Sequence, residues 1–320
     1  MRIARRTLLA GFSGALAAPS ALAQDIDYVY DELGRLIRVI YDNGATVTYS
    51  YDAAGNRTEV ARTASPPSST FTATIAITGT GTINLRTLAN SAGYDGARPA
   101  SVLFTLGSGV TLIGTSGAGL ETGTWPITQY YVDLDLQISG KVYGRGGQGA
   151  QGASPSAALP ALAGGDAIAC QTPIDIVVNA GGEVKGGGGG GGGGGGWWNN
   201  ITEAELGGGG GGGGFPNGAG GSAGGSTNGT PPNNGAAGTA SGGGAGGSGN
   251  GNYMTRSGGA GGNGGGAGAS GLSGGGAAGN PVDPWIRRNQ SAGAAGGYAI
   301  RKNGHIVNVT NNGTIVGTQG

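Results

Sequence analysis

The chain has 320 residues, of which 79 are glycine, and only 6% are aromatic and 11% charged. This composition excludes an ordinary globular domain with one large core, and a formal net charge of zero without basic clusters excludes a nucleic-acid partner. Cys170 and His305 are the single cysteine and the single histidine. No catalytic constellation, metal site or cofactor site is therefore expected, and the protein is not predicted to be an enzyme.

The first 23 residues have the pattern of an export signal. Three arginines precede an apolar segment at 8–18, and an Ala-x-Ala site ending at Ala23 predicts cleavage before Gln24. The pair Arg5-Arg6 also suits a twin-arginine signal, so Sec and Tat export both stay open. Cleavage would leave a net charge of 14 − 17 = −3. No window is long enough for a membrane span, so we expect a periplasmic, cell-surface or extracellular protein.

Residues 24–62 contain an internal repeat. The pattern Y-x-Y-D-x-x-G at 28–34 recurs at 49–55, and its alternating residues predict β-hairpins with Gly34 and Gly55 at positive φ. The stretch resembles the RHS or YD repeat family, whose members stack many such hairpins. One and a half repeats imply only a small β-module that acts as a spacer or docking element.

Residues 63–70, rich in proline and serine, are predicted to be a linker, and 71–185 a β-rich domain. Within that domain the pattern G-x-[VI]-x-G at 140–144 follows an apolar strand, and it returns at 182–186 and 313–317. These copies predict neighbouring strands in one sheet or β-helix, with glycine-rich excursions between them. The last of them belongs to C-terminal closing strands at 292–320.

The block 186–291 opens with eleven consecutive glycines at 186–196 and has eight more at 207–214. Such a block is either a flexible linker or a bundle of polyglycine II helices that bond laterally because no Cβ intervenes. The limited run lengths, the aromatic islands between runs and the strand that follows favour the bundle. The predicted fold is mainly β and irregular: a small β-domain, then a polyglycine II helix bundle, with little or no α-helix outside the signal peptide.

From about residue 84 to the end, the sequence resembles the receptor-recognising adhesins of T-even-like phage tail-fibre tips. The resemblance rests on 139–147, 178–185 and 311–317. It implies a polyglycine sandwich whose intervening loops bind bacterial surface receptors. The receptor-binding residues carried over by position are Trp197, Trp198, Phe215, Tyr253, Arg256, Trp285, Arg287 and Arg288.

The chemistry of these residues suits recognition, because aromatic faces stack on sugars or insert into protein loops and arginines bond phosphate or carboxylate. Trp197 and Trp198 could instead cap the bundle. We therefore predict an adhesin for a cell-surface protein or glycan of bacterial or other cells, with no catalysis. The alternatives are a secreted or surface-matrix protein without a defined ligand and, more remotely, ice binding. The export signal and the YD repeat, which are foreign to the phage family, favour an exported protein over a virion component.

Overall fold

The computed structural model describes residues 26–320, apart from 42–43, 64–68, 116, 154, 203, 228, 252 and 281–283. The predicted signal peptide with its cleavage site at Ala23 and Gln24 lies outside the described residues, as does most of the predicted linker. Thr63, the first residue of that linker, ends a strand. The chain divides into two compact units. One comprises the described residues up to Thr74 with Ala89–Leu103 and Trp125–Leu134, and the other comprises the described residues of Ile75–Leu88, Phe104–Thr124 and Asp135–Gly320.

The repeat forms a four-stranded antiparallel sheet of sequential hairpins. Its strands are β1 (Ile26–Tyr30), β2 (Leu36–Tyr41), β3 (Thr46–Tyr51) and β4 (Arg57–Thr63). Gly34 and Gly55 have φ of 78° and 89°, as predicted. In the first turn Asp31 Oδ1 accepts the backbone N–H of Leu33 and of Arg35, at 3.0 and 2.8 Å. The bond from the Arg35 N–H, together with its side chain, holds the pKa of Asp31 below its ordinary value. The aspartate of the motif is therefore a turn residue.

The strands from Phe71 onward form three further sheets, together with helix α1 (Leu85–Ser91). The first contains β5 (Phe71–Ile77), β7 (Ala100–Leu106), β10 (Val132–Ile138), β13 (Ile174–Val178) and β19 (Val307–Asn311). The second contains β8 (Thr111–Ile113), β11 (Lys141–Tyr143), β14 (Glu183–Lys185) and β20 (Thr314–Val316). The third contains β6 (Ile83–Asn84), β9 (Leu120–Glu121), β12 (Ile168–Ala169) and β18 (Ile300–Arg301). Successive turns of chain add one parallel strand to each sheet, which makes a three-faced β-solenoid.

The repeated G-x-[VI]-x-G segments are stacked in this solenoid, as predicted. Val142 pairs with Val184, which pairs with Ile315, and the two valines are fully buried. The glycine before each strand lies at a tight corner: a Cβ on Gly182 would come within 2.3 Å of the Ile138 carbonyl oxygen. A side chain cannot fit there, so the first glycine of the pattern is dictated by the corner.

Both glycine-rich excursions leave the solenoid at the same corner, between the second and third sheets. The first joins β11 to β12, and the second joins β14 to β18. Within the described residues they comprise ten extended runs: 145–153, 159–165, 186–196, 207–214, 218–224, 233–238, 243–250, 258–266, 269–276 and 291–297. The connections hold three short strands, β15 (Gly196–Asn199), β16 (Ala204–Leu206) and β17 (Trp285–Arg288).

Run 186–196 is surrounded by six other runs. Its N–H groups donate to three of these neighbours in turn, and the pattern repeats every three residues. The N–H groups of Gly191, Gly192 and Gly190 donate to the carbonyls of Gly212, Leu272 and Leu162, respectively, at 2.7–3.0 Å. Its carbonyls accept in the same rotation from 145–153, 258–266 and 291–297. Run 207–214 likewise donates to three neighbouring runs and accepts from three. These two are the inner runs, and the other eight described runs, here called the outer runs, encircle them.

The all-glycine composition of the inner runs follows from this packing. A Cβ on Gly191 would lie 2.0 Å from the Gly262 carbonyl oxygen, and every inner-run position meets backbone at less than 3 Å. Outer runs have an open side, so their buried glycines recur every third residue, as at 244 and 247, while Ala245 and Ser248 face solvent. Side chains are therefore confined to the outer surface and to the connections between runs.

Candidate functional site

The connections between runs lie at two ends of the bundle because the chain runs out and back. The Gly191–Gly212 and Gly194–Gly209 bonds make the second inner run antiparallel to the first. Connections 215–217, 239–242 and 266–268 thus lie at the end next to the solenoid, the base. In their described residues, the connections at the opposite, distal end are 155–158, 197–206 without 203, 225–232 without 228, 251–257 without 252, and 277–290 without 281–283.

A small antiparallel sheet closes the distal end, with strand order β16-β15-β17. Trp198 lies opposite Ile286, and Asn199 lies opposite Trp285. Because side chains alternate along a strand, Trp197 and Trp198 face opposite sides of this sheet. The inner side packs a buried cluster of Trp197, Leu206, Ala277 and Trp285, with Tyr253 against it.

Arg256 belongs to this packing. Its guanidinium lies 5.8 Å from the Trp197 ring centroid and 5.5 Å from that of Trp285, and the residue is 6% exposed. Trp197 is fully buried and donates its indole N–H to the Ala278 carbonyl at 2.9 Å. The structure therefore places Trp197, Trp285 and Arg256, predicted as receptor-binding residues, in the interior of the distal end, as the capping alternative required for Trp197.

The sequence predicts that Phe215 lies with the other receptor-binding residues, but the structure places it at the opposite end of the bundle. It is 2% exposed and lies at the base, where its ring packs edge-on against Tyr143 of β11 at a centroid distance of 5.3 Å. The reason is connectivity: an island that follows the second of two antiparallel runs returns to the starting end. Phe215 thus packs at the base and cannot share a surface with Trp197.

Four of the predicted residues are accessible at the distal end: Arg287 is exposed, and Trp198, Tyr253 and Arg288 are half-buried. Sequence reasoning missed three large apolar side chains in the connections at the same end, Ile201, Met254 and Ile286, which are 76%, 66% and 40% exposed. For Ile286 the signal was available, because it is adjacent to Trp285 and must face the other side of its strand. Ile201 and Met254 carry no such periodic signal.

Local hydrogen bonds and backbone conformation position two of these side chains. Asn199, 5% exposed, accepts the backbone N–H groups of Ile201 and Thr202 with its side-chain oxygen at 3.0 and 3.1 Å. Met254 and Thr255 have φ of 45° and 65° in a tight turn. Positive φ is uncommon for residues other than glycine, and such conformations cluster at functional sites.

At the base, a charged cluster joins neighbouring strands of the solenoid. Glu183 accepts the Tyr143 hydroxyl at 2.6 Å, and it pairs with Lys185 at 2.5 Å and Lys141 at 3.3 Å. The hydrogen bond from Lys185, then that from Tyr143, lowers the pKa of Glu183 to about 2. Because the cluster lies where β11 and β14 lead into runs 145–153 and 186–196, it fixes the start of both runs.

Among the described residues, metal-ligating side chains do not cluster, and the Cys170 thiol is buried. No group of three or more His, Cys, Asp or Glu side chains among them is placed to hold a metal ion. Burial raises the pKa of the Cys170 thiol to about 12, so the thiol stays protonated at neutral pH. No helix in the described part of the chain is both long and apolar enough to cross a membrane.

The sequence model of the phage tail fibre adhesin Gp38 family matches residues 70–320, well over half of the chain. The chain belongs to that family. The matched part of this Gp38-family chain contains the solenoid strands, the ten runs and the distal end. Its residues 30–65 match the RHS repeat model, which confirms the second resemblance as well.

A solved structure is also similar to this Gp38-family chain: the gp37–gp38 adhesin tip complex of the bacteriophage S16 long tail fibre. The two share 24% sequence identity over 77% of this chain and 81% of that one, with a TM-score of 0.46. No curated protein matches the chain.

Proposed function

We propose that this Gp38-family adhesin binds a cell-surface receptor, protein or glycan, through the outer side of its distal end. The observation that carries the proposal is the set of exposed apolar side chains at this end, Ile201, Met254 and Ile286, with the half-buried Arg288 on the same side of β17 as Ile286. Apolar anchors with an adjacent guanidinium resemble the energetic centres of recognition surfaces. Such side chains are otherwise unfavourable in water, so a partner that covers them gains apolar burial.

The proposed scaffold for this surface is a polyglycine II bundle. In such a helix, hydrogen bonds to neighbouring helices repeat every three residues, and eleven residues span about 34 Å. The six neighbours of each inner run leave few backbone groups unbonded. A rigid bundle of this length would hold the distal connections away from the solenoid at small entropic cost on binding.

The export signal supports a periplasmic, cell-surface or extracellular location. The family's name instead supports a location on a phage tail fibre. The N-terminus of the mature protein distinguishes the two locations. A mature chain that begins at Gln24, seen by N-terminal sequencing of protein from the expressing cell, supports export. An intact N-terminus contradicts it.

The binding proposal is tested with labelled full-length protein on a panel of bacterial cells and on a glycan array. We expect Ile201→Asp and Ile286→Asp to reduce binding at least tenfold, since each places a charge in the apolar surface, equivalent to about 1.4 kcal/mol. The matched control is Ile306→Asp, because Ile306 is also exposed, 61%, but lies in the solenoid.

The alternative is a surface-matrix protein without a defined ligand. In that case the three aspartate variants and the parent protein would bind all cells and glycans equally weakly. Equal loss in the Ile306 variant would also count against the distal surface.

A further inference from the structure

The solenoid and the bundle leave a cleft of about 740 Å³ at the base, on the side of run 145–153. Strand β8 is the edge strand of its sheet, and β9 begins at Leu120, soon after β8 ends at Ile113. The next turn of the solenoid inserts two runs at the same corner. The turn that contains β11 and β12 is therefore wider than the turn that contains β8 and β9. The cleft lies beneath the part of the wider turn that projects beyond the narrower one.

The cleft combines apolar surface with several polar side chains that have few partners. The polar side chains include Arg145, Gln148, Asn217, Thr80 and Thr111, and the apolar ones include Leu162 and Ile113. Within the described residues, none of the five polar side chains makes a hydrogen bond or ion pair. Arg145 is the single charged lining residue of the described cleft. The outer edge of β8 adds main-chain N–H and C=O groups that no strand of the described residues covers.

This combination identifies a ligand by its chemistry. A guanidinium with no acidic neighbour in the cleft favours a carboxylate, which it can bind through two parallel hydrogen bonds. Threonine hydroxyls and amide side chains both donate and accept, as the hydroxyl groups of a sugar require. Leu162, 47% exposed, offers an apolar patch for the C–H face of a ring. The cleft volume lies within the range of small-ligand sites.

We propose that the cleft at the base binds an acidic saccharide, a sugar ring that carries a carboxylate. Arg145 binds the carboxylate, while Gln148, Asn217 and the threonines bind ring hydroxyls. The site is separate from the distal end, since the length of the runs lies between them. It would give the protein a second, weaker attachment to acidic surface polysaccharides, independent of the receptor bound distally.

The run itself supplies a matched pair of variants. Gln148 and Gln151 are both exposed and lie three residues apart, so both project from the same side of run 145–153. Gln148 lines the cleft, whereas Gln151 lies one helical turn beyond it. Comparing Gln148→Ala with Gln151→Ala therefore tests position while the residue type and exposure stay the same.

The experiment is saturation-transfer NMR titration of the full chain with glucuronic acid, glucose and acetate. We expect glucuronic acid to bind, with glucose and acetate each at least about fivefold weaker because each lacks one half of the recognised group. Arg145→Gln should weaken glucuronic acid binding about tenfold or more, the effect of losing charge-assisted hydrogen bonds. Gln148→Ala should weaken it severalfold, and Gln151→Ala should leave it unchanged.

Several results would overturn the proposal. Failure of glucuronic acid to bind would remove it, and acetate binding as tightly as glucuronic acid would reduce the cleft to an anion site. Equal behaviour of the Gln148 and Gln151 variants would place any binding elsewhere, and this holds even if the Arg145 variant does not fold. Ile201→Asp should keep glucuronic acid binding, so failure here and failure of the distal proposal are distinguishable.

Discussion

At the scale of single residues, the inner-run glycines are defined by the absence of space for one methyl group. A Cβ on Gly191 would overlap the Gly262 carbonyl oxygen at 2.0 Å, while a Cβ on Gly266 would meet nothing within 4 Å. Gly191→Ala should therefore destabilise the protein by about 3 kcal/mol or more, the upper range of overpacking. Gly266→Ala should be neutral or slightly stabilising, because it restricts the unfolded chain. Thermal unfolding of the two variants checks this, and equal melting temperatures would contradict the packing.

Glu183 gives a residue-scale prediction of pH dependence. Its pKa is about 2 in the folded protein against 4.5 as the ordinary value. A lowered folded-state pKa means that the stabilisation is present above about pH 4.5 and is lost as the pH falls toward 2. Glu183→Gln should thus cost about 1–3 kcal/mol at pH 7. The difference from the parent protein should shrink between pH 4.5 and pH 2.

Chemical denaturation at pH 7, 4 and 2.5 measures this difference. Asp175→Asn is a suitable control, because Asp175 is also a carboxylate in a solenoid strand and accepts a hydrogen bond from the uncharged amide of Asn308 at 2.7 Å. A Glu183→Gln effect that stays constant across these values would show that the cluster is not electrostatic.

At the scale of elements, the distal sheet places two adjacent tryptophans in different environments. Trp197 is fully buried under Arg256, whereas Trp198 is half-buried on the outer side. Trp197→Ala should cost about 3–5 kcal/mol of local stability. It should expose the amides of β15 and β17 to hydrogen exchange while the solenoid stays protected. Trp198→Ala should leave exchange almost unchanged, and the reverse order would contradict the register.

The elements also show what sequence could and could not provide. The G-x-[VI]-x-G copies predicted neighbouring strands because a corner that excludes Cβ leaves a glycine at a fixed position. The unbroken glycine runs indicated packing on all sides. The end at which each island lies depends on the number of reversals before it, which residue type does not encode, and this is why Phe215 was misplaced.

Burial at the distal end escaped prediction for a related reason. Aromatic islands suggested ligand contact, but a bundle of bare backbone has little apolar surface of its own, so its end must be closed by whatever large side chains the connections supply. Trp197, Trp285 and Arg256 serve that purpose. The accessible surface is then left to their neighbours, Ile201, Met254 and Ile286, whose types are unremarkable in sequence.

At the scale of the whole molecule, the bundle replaces a hydrophobic core with a lattice of backbone hydrogen bonds. Each bond contributes only about 0.5–1.5 kcal/mol net, while ordering each residue costs about 1–2. The lattice can be stable only if it forms cooperatively, with its ends held by the solenoid at the base and by the tryptophan cluster distally. Loss of either end should therefore loosen all ten described runs together rather than one at a time.

This cooperativity predicts a specific pattern of amide exchange in the intact protein. Amides of the inner runs, 188–194 and 208–214, are bonded and shielded by six neighbours, so they should exchange most slowly and at one common rate. Amides on the open side of outer runs should exchange faster. Trp197→Ala should accelerate the inner runs as well as the distal sheet if the ends close the lattice. Rapid exchange throughout 186–290 in the parent protein, with protease cleavage across the same range, would instead show a flexible linker.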